Sequence, residues 1–213
     1  AVGAIEWISI LEKACVLVTL AYLLTRTRLF PDLRKTRLSA REQSIAALVF
    51  LIMGFAEVAI TVQQNQAGAA LSPMNLRIIA VAAAGLLSGP WVGLLIGVAV
   101  TIMATTTQWG AGMPAPIGIS MVMAGLLAGG LRQLRPALAI RPEIGFIAGF
   151  VASSFRDSLN LILDPGKFVG VPFAFEAAVL QGLSVALILL VVRQACDQEA
   201  ESRAAAMAEV KAL

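Results

Sequence analysis

The sequence predicts an all-α fold: a polytopic integral membrane helical bundle of about six to seven transmembrane helices, N-terminus outside and C-terminus cytoplasmic. Three observations carry this. Hydrophobic residues make up 59% of the 213 residues and charged residues only 14%, whereas about a quarter of a soluble domain is charged. The apolar residues fall in separated runs of roughly 15 to 20, enough to cross a hydrocarbon core about 30 Å thick, and the alternation expected of barrel strands is absent. Arginines and lysines cluster in alternate connecting segments, so the positive-inside rule gives one consistent orientation. Mean hydropathy is +0.86.

The same composition excludes several functions. A formal net charge of +3, with the basic residues spread over several connecting segments, speaks for membrane orientation and not for nucleic-acid binding. Two cysteines, Cys15 and Cys196, make no disulfide framework, and with no histidine anywhere a Cys/His metal site is excluded.

The first apolar run, residues 5–24, reads as a retained membrane helix and not as a signal peptide, because no cleavage site follows it. Glu12 and Lys13 fall near its middle. A charge at bilayer depth costs roughly 2.5 to 3.5 kcal/mol on insertion scales, so either both face protein or water, or the span begins later and both sit near the outer surface. Adjacent residues point about 100° apart on a helix, so the two need not pair with each other. Residues 25–42 then carry Arg26, Arg28, Arg34, Lys35, Arg37 and Arg41 against Asp32 and Glu42, which sets this loop in the cytoplasm.

A second helix is expected over residues 45–62, with Glu57 in its outer half, and an uncharged external loop over 63–76. Residues 75–88 run inward, Gly89-Pro90 turns the chain, and 91–107 return. Gly85, Gly89, Gly93 and Gly97 recur at every fourth position, which predicts two closely packed helices joined by a tight turn and carrying one buried arginine, Arg77. The stretch from 75 to 88 is short enough to be a re-entrant piece. Residues 108–116 are external, 117–131 run inward, and Arg132, Arg135 and Arg141 outweigh Glu143 in the next cytoplasmic loop. Residues 144–163 carry Arg156, Asp157 and Asn160 toward the outside; 173–192 carry Glu176 at the outer mouth and deliver Arg193 to the cytoplasm.

Residues 193–213 are of different material, rich in Ala, Glu, Arg and Lys without Gly or Pro, and favour a continued soluble helix. Cys196, Ala200, Arg203, Met207 and Val210 follow a coiled-coil spacing interrupted by Arg203. The sequence ends in mid-helix, which leads us to expect a longer protein. Two parts are therefore expected, a transmembrane domain over 1–192 and a cytoplasmic helix over 193–213.

Glu57, Arg77, Arg156, Asp157 and Glu176 all fall in the outer half of this topology. Charges of both signs at one depth can neutralise one another across helices as a purely structural device. They can also line an outward-facing pocket in which an arginine fork grips the carboxylate of a small ligand, with Asn75, Thr105, Thr106 or Ser120 completing the shell. Arg77 stands beside Asn75 and opposite the threonine-rich end of residues 91–107, which favours the pocket. No nucleophile elbow, phosphate loop or H-E-x-x-H motif is present, so no catalytic residues are assigned.

Asn75-Leu76-Arg77, then Ala84-Gly85-Leu86-Leu87-Ser88-Gly89-Pro90-Trp91-Val92-Gly93 and Gly97, resemble the N-x-R…G-L-L-G-G-P-x-V-G-x-x-x-G signature of the LytS-type five-transmembrane receptor domain. Ser120 with Gly125-Leu126-Leu127-Ala128-Gly129 matches its next helix, and Tyr22 to Phe30 resemble the end of its first, so the similarity covers about residues 14–192. The resemblance implies the sensory domain of a sensor histidine kinase in a bacterial inner membrane. It further implies a homodimer that reads an extracellular small molecule and signals to a LytTR-type response regulator. No cofactor is expected in this segment, and ATP is expected only for a kinase module beyond it.

The tail from Ala208 to Leu213 resembles the helix that precedes the phospho-acceptor histidine box of such kinases. A branch of the family senses pyruvate through two arginines, a cysteine and a serine. By position the first arginine is Arg77 and the serine is Ser120, whereas Ala104 and Ile117 replace the other two. Arg156 stands where the family is expected to carry a glutamate, which moves a second positive charge to the 144–163 helix. The domain also resembles, more distantly, the substrate-binding subunits of vitamin transporters, and an uptake role is the alternative.

Overall fold

The computed structural model describes residues 13, 16, 19, 39–66, 75–107, 115–163, 165 and 170–212. Seven helices are complete in the described residues: α1 (Ala40–Gln66), α2 (Leu76–Ser88), α3 (Pro90–Thr107), α4 (Ala115–Leu134), α5 (Pro136–Ala139), α6 (Pro142–Leu163) and α7 (Val171–Ala212). Of the first expected helix only Lys13, Val16 and Thr19 are described, all three helical, and Glu12 and Cys15 lie outside the described residues. No strand occurs among the described residues.

Local sequence explains the boundaries. Ser39 and Glu42 form a capping box at the start of α1: the Glu42 carboxylate accepts from Ser39 N–H at 2.7 Å, and Glu42 N–H donates to Ser39 Oγ at 3.3 Å. Prolines open α3, α5 and α6, where a missing N–H costs nothing and the fixed φ already suits the helix. The stretch between α4 and α6, expected as a loop, contains the one-turn helix α5, which keeps the connection compact.

Four helices are long and apolar enough to cross a membrane: α1, α4, α6 and α7. The remaining long elements are shorter. The 13 residues of α2 rise only about 20 Å, less than the thickness of the hydrocarbon core. All 13 of its residues are buried, so α2 is the centre of the bundle and the other helices surround it. Its C-terminal cap, Gly89, has φ +102° and ψ 179°, a conformation only glycine adopts freely, and its N–H donates to Gly85 O at 2.8 Å. That bond and Gly93 N–H to Gly89 O at 3.1 Å satisfy the backbone where α2 turns into α3.

The glycine ladder packs differently from the two-helix hairpin expected from its spacing. Its partner is the third helix, α4. A Cβ on Gly85 would stand 2.8 Å from Gly125 O and 2.9 Å from Gly129 N, and one on Gly93 would stand 2.5 Å from Gly125 O. Gly97 lies somewhat less tightly against Met121, where a Cβ would stand 3.0 Å from its carbonyl oxygen. Small residues thus bring three backbones together where lipid gives no hydrophobic drive for association. A second such contact joins α6 to α7, where a Cβ on Gly149 would stand 2.6 Å from Gln181 O. Phe150 stacks on Phe146 and meets Phe175 edge-on, with centroids 6.0 and 6.1 Å apart, fixing the same pair of helices.

At the cytoplasmic side α7 continues without a break past Arg193 to Ala212. The expected division after residue 192 is therefore a change of surroundings within a single helix of 42 residues, about 63 Å long.

Candidate functional site

The outer end of α2 is the focus of the buried charge. Asn75 caps the helix with an extended backbone, and its Oδ1 accepts from Arg77 N–H at 3.0 Å. The same oxygen accepts from Arg77 Nε at 3.4 Å, so the residue that starts the helix also orients the guanidinium. Arg77 is only 7% exposed, and among the described residues no carboxylate lies within ion-pair distance of it.

Four further charged groups converge on that end. Glu57 of α1 is buried and pairs with Lys13, Oε1 to Nζ 2.8 Å, with both side chains 4% exposed. The Glu57 carboxylate also faces the backbone N–H of Leu76 in the first turn of α2 and lies within electrostatic reach of Arg77. Arg156 on α6 acts on Arg77 through space as well. Its guanidinium is held by its neighbour Asp157, with Nε and NH2 at 2.8 and 2.7 Å from the same Oδ1. Lys13 answers the expectation about mid-helix charge in the first span: its partner is Glu57, 44 residues away.

The candidate residues divide accordingly. Asn75, Arg77, Glu57 and Arg156 belong to one electrostatic cluster. Ser120 is buried and stands near the same level. Val81 touches the position of Gly125, both helices run inward, and one turn back from each are Arg77 and Met121. Its hydroxyl donates to Ile117 O at 2.8 Å. Thr105 and Thr106 are exposed, and their hydroxyls donate to Ile102 O and Met103 O within α3. Glu176 is exposed on the first turns of α7 and makes no hydrogen bond or ion pair among the described residues. The structure does not bring these last three to the cluster.

A seam of polar groups that the charge pattern does not reveal runs along the α6–α7 contact. Ser153 and Asp157 lie one and two turns beyond Gly149 on the α6 face that meets α7, and Ser153 and Gln181 are fully buried. Ser153 Oγ, Asp157 Oδ2 and both amide atoms of Gln181 have no hydrogen-bond partner among the described residues, as is true of Glu57 Oε2. The available signal was Gln181 itself, an amide within an apolar run, since polar groups at membrane depth mark functional interiors.

The cluster is chemically unbalanced. Among the described residues Lys13, Arg77 and Arg156 face Glu57 and Asp157, and Arg77 is the cation outside the two ion pairs. A buried guanidinium with an anchored Nε and no carboxylate partner has donors for a planar anion. No group of His, Cys, Asp and Glu that could hold a metal ion occurs among the described residues. A separate groove of about 320 Å³ between α4 and α6 is lined by apolar side chains, with Ser120 as its polar member.

Residues 27–193 match the family described as "5TMR of 5TMR-LYT". The chain belongs to the 5TMR-LYT family. This 5TMR-LYT chain is a multi-pass membrane sensor domain. It is 26% identical over 207 residues to the sensor histidine kinase YpdA of Escherichia coli strain K12, an alignment that covers 95% of this chain. The chain spans 35% of the length of that relative. No solved structure matches it.

Proposed function

We infer that this domain is the input part of a two-component sensor histidine kinase in a bacterial cytoplasmic membrane. It binds a small extracellular anion at the outer end of α2 and passes the signal to the cytoplasm through α7. The observation that carries the reading is Arg77: buried, oriented by Asn75, and with no carboxylate at ion-pair distance among the described residues, where the cluster holds three cations and two carboxylates. Arg156, in electrostatic reach of Arg77, adds a second cation, and Ser120 at a similar depth adds a hydroxyl. The similarity to a sensor histidine kinase supports the signalling half, as does the unbroken course of α7 for some 20 residues beyond Arg193. An uptake component has no need of such an extension. The active form is a homodimer, and a response regulator of the LytTR type receives the signal.

The test is calorimetry on the purified chain in nanodiscs against acetate, lactate, pyruvate and succinate. At least one carboxylate binds, and Arg77→Ala weakens it by about tenfold or more, the value of a charge-assisted hydrogen bond pair. Arg77→Lys recovers only part of the loss, because an ammonium has no planar fork. Unchanged affinities in Arg77→Ala would overturn the assignment.

A further inference from the structure

The cytoplasmic end of the bundle holds a second concavity, remote from Arg77. A cavity of about 310 Å³ opens between the α5 turn and α7, with Pro136, Ile140 and Val192 as apolar walls and Arg141, Arg193 and Asp197 on its rim. It lies at the level where α7 leaves the membrane. Val192 is a buried core residue, Arg193 is half-exposed, and no long apolar run follows. Arg135 and Arg141 are exposed on either side of α5, and Arg132 is buried at the end of α4.

The acidic groups nearby do not cancel this charge. Asp197 reaches Arg193 at 3.8 Å, but both side chains are more than two-fifths exposed, so the pair is weak. Glu143 is exposed on the first turn of α6 and is not among the residues that line the cavity. The positive-inside rule accounts for arginines on this side of the membrane; it does not account for a cavity between two of them with an apolar floor. A small hydrated inorganic anion gains nothing from an apolar floor. A phospholipid presents a phosphate linked through glycerol to acyl chains, an anion and an apolar stem in one molecule, at the membrane surface where arginines of this side lie.

We propose that the cavity between α5 and α7 binds the headgroup of an anionic phospholipid, its phosphate held by Arg141 and Arg193 and its glycerol and first acyl carbons against Pro136, Ile140 and Val192. Basic pockets between helices on the cytoplasmic side are a recurring headgroup site. Because Arg193 belongs to α7, occupancy fixes the helix at its point of exit and makes its position sensitive to the charge of the inner leaflet.

Native mass spectrometry of the full chain, released from detergent with equal amounts of phosphatidylglycerol and phosphatidylcholine, tests the proposal. The protein retains phosphatidylglycerol in preference, and Arg141→Gln with Arg193→Gln reduces that retention by about tenfold or more. Arg41→Gln, which removes an exposed cytoplasmic charge at the start of α1, leaves it unchanged. Equal retention of the two lipids, or an equal loss in Arg41→Gln, overturns the site. Full displacement of phosphatidylglycerol by millimolar inorganic phosphate identifies a soluble-anion site and overturns the lipid. Should the double variant not fold, Ala137→Trp fills the cavity with the charges intact, and unaltered retention in that variant refutes the proposal.

Discussion

Lys13 and Glu57 meet at 2.8 Å in the interior of the bundle, each with a side chain 4% exposed, although 44 residues separate them. The pair ties the first membrane segment to α1 and places a carboxylate beside the N-terminus of α2, where the helix dipole favours negative charge. Lys13 thereby competes with Arg77 for the Glu57 carboxylate, which stays within electrostatic reach of both.

Breaking this pair from one side strands a buried charge. Lys13→Met and Glu57→Leu each destabilise the protein by about 3–5 kcal/mol, whereas the double variant recovers most of that loss. A double-mutant cycle of unfolding in mixed micelles measures the coupling; additive effects would mean the two groups do not interact.

Backbone proximity sets the cost of side chains at the α2–α3–α4 contact. Gly93→Val and Gly125→Val destabilise by about 1–3 kcal/mol or more, since even a Cβ there collides with backbone of the opposite helix. Gly130→Ala, with open space around the new methyl group, is neutral or stabilising by up to about 1 kcal/mol. Thermal unfolding of the three variants checks the contrast.

At Gly89 the constraint is conformational and not steric, for nothing lies within 4 Å of an added Cβ while φ is +102°. Gly89→Ala costs about 1–3 kcal/mol through backbone strain alone. A midpoint equal to that of the parent protein would show that the α2–α3 turn can relax.

The charge excess at the outer cluster predicts a change in ligand preference. Asp157→Asn removes the carboxylate that holds Arg156 and adds one net positive charge. Binding of succinate relative to acetate then rises by about tenfold, as electrostatics in a poorly screened site requires. Calorimetry on the folded variant reads the ratio; no change would place Arg156 outside the site.

Much of this arrangement was legible in the sequence, because a membrane makes local pattern decisive. Every long apolar run in the described residues is a helix, and the boundaries follow signals such as Ser39 with Glu42, Asn75 and the prolines of α3 and α6. The importance of Arg77 was also visible, as a charge at the lip of an apolar segment with Asn75 before it. Thr105, Thr106 and Glu176 were at suitable depth but are exposed, since depth along a helix does not fix the face on which a residue lies.

The sequence by itself determined that the chain is helical, in the membrane and oriented by its arginines, because insertion energy and helix propensity act residue by residue. Only the tertiary structure decided which helices are neighbours. It made α4 the partner of the glycine ladder, gave Glu57 to Lys13, and left Arg77 with no carboxylate at ion-pair distance among the described residues. Those outcomes depend on rotation and register between helices distant in the chain, and one helical turn in either would pair the charges differently.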